Sequence, residues 1–307
     1  MENRDAELVE KISALKKRRN AVILAHNYQL GEVQDIADFV GDSLDLSQRA
    51  AETNADVIVF CGVHFMAETA SILCPDKVAL LPDRNAGCPM ADMITAESLR
   101  AKKKEHPQAV VVCYINSSAE VKAESDICCT SANAVRVVES LDAREILFVP
   151  DQYLGHYVST KTDKKMTLWP GFCPTHARIK PERIKELKKE YPQAKVVVHP
   201  ECTPEVIALA DEVLSTSGMC RYAQRDEVRE MVVGTEMGII HRLKKENPGK
   251  RFIPISEQAI CPNMKLITLE KVLWSLEDMG PEVKVPEGIR LKAKAVVDKM
   301  LKIGRES

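Results

Sequence analysis

Three cysteine–proline pairs, Cys88-Pro89, Cys173-Pro174 and Cys261-Pro262, each close a segment that opens with an apolar run ending in polar residues. The runs are AVILAHNY, which ends around His26, AVVVCYIN, which carries Tyr114 and Asn116, and KVVVHPE, which carries His199 and Glu201. A hydroxyl follows each run at a constant distance: His26 to Ser43, Tyr114 to Ser131 and His199 to Thr216 are all 17 positions. From those hydroxyls to the cysteines the distances are 45, 42 and 45. This ruler implies three copies of one unit, each supplying a strand-end polar side chain, a hydroxyl and a thiol.

Each group has a chemistry of its own. Three thiolates meeting at one point match a closed four-ligand zinc site poorly, and they suit a [4Fe–4S] cluster whose fourth iron is open. An open iron is a Lewis acid for a substrate hydroxyl or carboxylate. A three-cysteine zinc site and plain buried cysteines stand as alternatives. The hydroxyls lie in the turns DS (42–43), TSANA (130–134) and STSG (215–218), each ahead of an expected helix. Free N–H groups at helix starts favour an anionic ligand, while the bland reading makes Ser43, Ser131 and Thr216 ordinary N-caps. His26 and His199 have the titration range of acid–base groups. Glu201 is a carboxylate base with a raised pKa if its surroundings are dry, and Tyr28 is a weaker candidate on the same strand face as His26. His64, His106, His156, His176 and His241 have no counterpart in the repeat and are set aside.

The elements needed to position these groups are α/β. Continuous apolar runs at Ala21–Ala25, Asp56–Gly62 and Lys77–Asp83 alternate with helical segments, as in βαβ units with a parallel sheet. The second unit repeats the plan with strands in AVVVCYI and EILFVPD, and the third with KVVVHPE, VREMVVGT as its second strand, and RFIPIS. The expected architecture is three similar αβα units with small parallel sheets, at 1–107, 108–193 and 194–307, around a central cavity on a pseudo-threefold axis. Functional groups then gather at the C-terminal strand ends. Amphipathic helices are expected at 5–19, 268–279 and 289–302, the last docked on the first unit.

Composition limits the rest. Over 307 residues the formal net charge is −2, which gives no electropositive face for nucleic acid. No apolar run approaches the ~18 residues that span a bilayer, and the first twenty residues lack the apolar centre of a signal peptide, so a cytoplasmic location is expected. Ten cysteines without a CxxC exclude zinc ribbons and thioredoxin-like sites. Cys61, Cys74, Cys113, Cys128, Cys129, Cys202 and Cys220 are read as packing residues.

The motifs AHNYQLGEVQDIADFVGDSLDLS, GCPMADM, YINSSAEVKA, CCTSANA, WPGFCPTHA, HPEC, STSGM and ICPNMK, in this order, resemble the quinolinate synthase family of NAD biosynthesis over about residues 20–280. The resemblance implies condensation of iminosuccinate with dihydroxyacetone phosphate to quinolinate, at a [4Fe–4S] cluster with three cysteine ligands and one open iron. It implies Cys88, Cys173 and Cys261 as those ligands. Substrate binding falls to His26, Ser43, Tyr114, Asn116, Ser131, His199, Glu201 and Thr216, and proton transfer to Tyr28, His199 and Glu201. L-Aspartate oxidase or aspartate dehydrogenase is the implied source of iminosuccinate; neither nucleic acid nor membrane is an expected partner. Two further readings share the residues: a hydro-lyase of the aconitase type acting on another hydroxy acid, and a non-catalytic iron–sulfur sensor.

Overall fold

A computed structural model of the chain describes residues 2–304. Met1 and residues 305–307, the extremes of the first and third expected units, lie outside the described residues. Twelve strands form three four-stranded sheets. The first contains β1 (Ala21–His26), β2 (Phe39–Gly41), β3 (Val57–Cys61) and β4 (Val78–Leu80). The second contains β5 (Val110–Tyr114), β6 (Ile127–Cys129), β7 (Glu145–Val149) and β8 (Lys165–Leu168). The third contains β9 (Lys195–Val198), β10 (Glu212–Val213), β11 (Glu230–Gly234) and β12 (Arg251–Pro254). The strand orders are β2-β1-β3-β4, β6-β5-β7-β8 and β10-β9-β11-β12, one topology used three times. All pairings are parallel.

The apolar runs read as strands are buried because helices cover both sheet faces. In the third sheet Val197, Met231 and Val233 pack into one core, while Val196, Val198 and Val232 pack into another on the opposite face. That period-two division is the mark of a sandwiched parallel sheet.

The second strand in each sheet corrects the expectation. The segment around Val40, read as helical, contains β2; the segment read as a turn at CCTSANA contains β6; and the second strand of the third unit is β10, ahead of VREMVVGT. β8, in KMTLWPGFCP, was not anticipated either. Edge strands of two or three residues are too short to show a period. A repeated side-chain clamp anchors them. Asp38 Oδ2 accepts the Ile23 N–H at 2.8 Å, Asp126 Oδ2 that of Val111 at 2.8 Å, and Asp211 Oδ2 that of Val196 at 2.7 Å. The N–H of each aspartate donates in return to the carbonyl of the same residue.

The terminal helices run Glu2–Arg18, Leu269–Asp278 and Glu287–Ile303. The last does not dock on the first unit alone. Its Ala293 and Ile289 pack with Ile72 of the helix His64–Leu73, but also with Ala119 and Ala123 of the second unit, and its larger contact is with helix Ala119–Ala123 and β6. Small alanines on both helices permit that close approach, and periodicity within one helix does not reveal its partner.

Candidate active site

Side chains two residues apart leave a strand end on one face, so each innermost strand delivers a pair. β1 delivers His26 and Tyr28, β5 delivers Tyr114 and Asn116, and β9 delivers His199 and Glu201. The N–H of Tyr28 donates to His26 Nδ1 at 3.2 Å, and the N–H of Glu201 donates to His199 Nδ1 at 3.3 Å. An Nδ1 that accepts leaves the hydrogen of a neutral ring on Nε2. Burial pushes both rings down, to about 3. Their unfolded value is near 6.5, so the unfolded chain binds more protons between these limits. Stability present above pH 6.5 is therefore lost as pH falls toward 3, at up to about 1.4 kcal/mol per pH unit for each ring. Urea midpoints of the cluster-free protein at pH 7 and pH 5 test this: the drop should be smaller in His26→Asn than in wild type.

The hydroxyls are not the helix caps. Asp42 caps the helix Ser43–Glu52 by accepting from the N–H groups of Leu44 and Asp45, and Ser215 caps Thr216–Ala223 by accepting from Gly218. Ser43 and Thr216 hold the first helical position, and Ser131 precedes the helix Ala134–Glu139, whose N-cap is Asn133. With Asp42 and Ser215 as caps, and Ser131 outside its helix, these hydroxyls are left for other partners. Thr216 Oγ1 accepts from Asn27 Nδ2 at 2.7 Å, and Ser131 Oγ lies 3.2 Å from His199 Nε2. Each contact joins two different units.

At the centre, Glu201 collects donors from two elements. Its Oε1 accepts from the Tyr114 hydroxyl at 2.5 Å, with Asn116 Nδ2 at 3.5 Å, and its Oε2 lies 2.8 Å from His176 Nδ1. The other nitrogen of His176, Nε2, is 2.8 Å from Thr235 Oγ1, which is 2.5 Å from the Tyr28 hydroxyl. Tyr28, Thr235, His176, Glu201 and Tyr114 thus form one buried chain. Burial pushes Glu201 up, but the flanking His176 and His199 and the hydrogen bonds from His176 and Tyr114 outweigh it and hold the carboxylate down, to about 2. The raised pKa expected from dryness alone is corrected by those partners. Burial pushes the Tyr28 and Tyr114 phenols well above their ordinary value, so both stay protonated.

His176 and Thr235 were missed. His176 has no triplicated counterpart, yet it stands at the heart of the chain, 1% exposed. The available signal was local: His176 lies three residues after Cys173, one helical turn into Pro174–Ala177, which Cys173 caps. Glu236, fully buried, was also unanticipated; its carboxylate accepts the Cys261 N–H at 3.1 Å and pairs with Lys265 at 3.0 Å.

The three spaced cysteines are half-buried, and the other seven are buried. A fourth Cys-Pro pair, Cys74-Pro75, falls outside the ruler, and its thiol donates to the Ala50 carbonyl at 3.0 Å. Each spaced cysteine opens a helical turn: Ala91–Met93, Pro174–Ala177 and Met264–Leu266. Nearby backbone N–H groups favour the thiolates: those of Ala91 and Met90 at Cys88, that of His176 at Cys173, and those of Met264 and Asn263 at Cys261. Pro174 stands at the first helical position, where its missing N–H is not needed. Burial nevertheless pushes these thiols up, Cys88 to about 12, so a metal must displace their protons. Three thiols, each following the last strand of a different sheet and each with nearby N–H groups that favour its thiolate, form a donor set that fits a cluster with three cysteine ligands. Cys173, His176 and Glu201 form a second, tighter group whose donor atoms lie within 4.8 Å of one another.

Most of these groups face one cavity of about 310 Å³. It is lined by His26, Tyr28, Ser43, Cys88, Tyr114, Asn116, Ser131, Cys173, His199, Glu201, Thr216 and Cys261, and also by His176 and Glu236. The strand-end, hydroxyl and cysteine positions read from the ruler are therefore brought to one place.

The family profile described as quinolinate synthetase A protein matches residues 10–302. The chain belongs to that family. It is 66% identical over 293 residues to a quinolinate synthase of Dehalococcoides mccartyi (strain CBDB1), covering 95% of this chain and 97% of the relative. It is 58% identical over 300 residues to that of Geotalea uraniireducens (strain Rf4), covering 98% and 99%. It is 57% identical over 298 residues to that of Methanosarcina barkeri (strain Fusaro / DSM 804), covering 97% and 98%. The family is one of enzymes, and among the described residues no helix is long and apolar enough to cross a membrane.

Proposed function

We propose that this enzyme condenses iminosuccinate with dihydroxyacetone phosphate to quinolinate, releasing phosphate and two waters, in NAD biosynthesis. The reaction is balanced without an oxidant. The observation that carries the reading is the single cavity shared by three N–H-supported cysteines, three hydroxyls and the Glu201 chain. Cys88, Cys173 and Cys261 would hold a [4Fe–4S] cluster, which supplies a Lewis acid toward a substrate oxygen at its open iron and so favours loss of hydroxide. Iminosuccinate reaches the enzyme from aspartate oxidation, by L-aspartate oxidase or aspartate dehydrogenase. The protein works in the cytoplasm, without nucleic acid or membrane.

The side chains divide the remaining work. Ser43, Ser131 and Thr216 hold carboxylate or phosphate oxygens at the ends of their turns, with His26, Tyr114 and Asn116 completing the walls. His199, with its hydrogen on Nε2, is a donor to Ser131 or to substrate. The enamine form of iminosuccinate attacks the triose carbon as phosphate departs, and closure between carbonyl and nitrogen forms the ring. Protons released near the Tyr28 oxygen pass through Thr235 to His176 Nε2. Glu201, bound to Nδ1 of the same ring, stabilises the charge that this creates, as a carboxylate does behind any imidazole base.

Anaerobically prepared protein given iminosuccinate and dihydroxyacetone phosphate should form quinolinate and phosphate in a 1:1 ratio. Turnover of another hydroxy acid in their place would favour the hydro-lyase reading, and no turnover of either, with iron present, the sensor. The tight Cys173–His176–Glu201 group supports a second reading, a single metal ion; metal content of the cysteine variants separates the two.

A further inference from the structure

Hydrogen-bond polarity at Thr216 is set from outside the cavity. Asn27 is fully buried, and its Oδ1 accepts from Arg242 Nη1 at 2.8 Å. A guanidinium only donates, so the oxygen of the Asn27 amide must face Arg242 and its nitrogen must face Thr216. Thr216 Oγ1 accepts that nitrogen at 2.7 Å, which takes one of its two lone pairs and leaves its hydrogen available, and Thr216 lines the cavity. Arg242 itself is held by the Val40 carbonyl at 2.8 Å and by Glu246 Oε1 at 2.7 Å, and it lines an outer groove between the first and third units. Asn27 is braced as well: its N–H donates to the Gly41 carbonyl at 3.1 Å, and its own carbonyl accepts from Gln34 Nε2 at 3.3 Å. Ser131 reaches the same polarity by another route. His199 Nδ1 accepts a backbone N–H, so Nε2 carries the hydrogen that Ser131 Oγ accepts.

We infer that Arg242, acting through Asn27, is a positioning residue that fixes the Thr216 hydroxyl with its hydrogen available to an oxyanion at that end of the cavity. The inference rests on the reading that the cavity takes anionic substrates. A carboxylate and a phosphate offer the same acceptor oxygens, and the two are told apart by the probe.

The test titrates inorganic phosphate and, separately, succinate into cluster-loaded wild type, Arg242→Met, Arg242→Lys, Thr216→Ala and the Arg242→Met/Thr216→Ala double variant. Arg242→Met should weaken one of the two anions about tenfold, the effect of one charge-assisted hydrogen bond, and the anion affected identifies the group held at Thr216. Arg242→Lys, which still donates, should restore most of that affinity. In the Thr216→Ala background the loss of Arg242 should have no further effect. An equal loss in that background would show a merely structural role and overturn the inference, as would unchanged affinity in Arg242→Met or binding of neither anion to wild type. Because Arg242 also ties two neighbours, melting temperatures accompany the titrations, and Arg242→Gln carries the cycle if the methionine variant unfolds. Failure of wild type to make quinolinate would overturn the proposed reaction alone, since the anion cycle is read by binding.

Discussion

Replacing Cys88, Cys173 or Cys261 singly with alanine is expected to remove the visible absorption and sulfide of anaerobically prepared protein and to lower quinolinate formation by at least about a thousandfold. The expectation follows from the equal standing of the three thiols. Each follows the last strand of a different sheet, each has nearby N–H groups that favour its thiolate, and among the described residues the cavity lining holds no other thiol. A cluster with one iron already open loses a second anchor in every one of these variants. The single-ion reading makes a different forecast: only Cys173→Ala would lose metal, because Cys88 and Cys261 lie outside the compact donor group. Retention of iron and turnover by all three variants would sink the cluster assignment. Cys74→Ala is the control, since that thiol also precedes a proline but is enclosed against Ala50 and should keep full metal content.

The ruler of 17 and about 45 residues made the three units and their shared cavity legible because repetition survives in sequence when the same element must reach the same place three times. The same logic hid what is not repeated. His176 has no counterpart: the positions three after Cys88 and Cys261 are Ala91 and Met264, so no repeat could mark it. The short strands β2, β6 and β10 left no period to read, yet a second regularity marked them. Asp38, Asp126 and Asp211 each stand five positions before the hydroxyl and twelve after the strand-end residue. Their carboxylates clamp the innermost strands. Glu201 shows a different limit. Burial of a carboxylate can be guessed from its strand, but the sign of its shift depends on Tyr114 and His176, which are 87 and 25 residues away in the chain and meet it only in the fold. The docking of the last helix on the second unit fails to show for the same reason: a helix face declares that it is apolar and not what it meets.

Glu201→Gln should lower kcat by roughly 10² to 10⁴, the range of general acid–base assistance, while leaving iron content intact. The amide keeps the shape and still accepts from Tyr114 through its oxygen. It then turns its NH₂ toward His176 Nδ1, where the carboxylate had accepted. His176 must flip its tautomer or lose the contact, and Nε2 can no longer accept along the chain from Thr235 and Tyr28. The effect should therefore fall on kcat more than on KM for either substrate, because Ser43, Ser131 and Thr216 are untouched. Thr235→Val should reproduce a smaller part of the same loss, as it removes the bridge between Tyr28 and His176 and leaves Glu201 in place. A glutamine variant with kcat within fivefold of wild type would remove Glu201 from the proton chain. Loss of bound metal in that variant would point instead to Glu201 as a ligand beside Cys173 and His176. Iron content and kcat measured on one preparation distinguish a carboxylate that serves the proton chain from one that holds the metal.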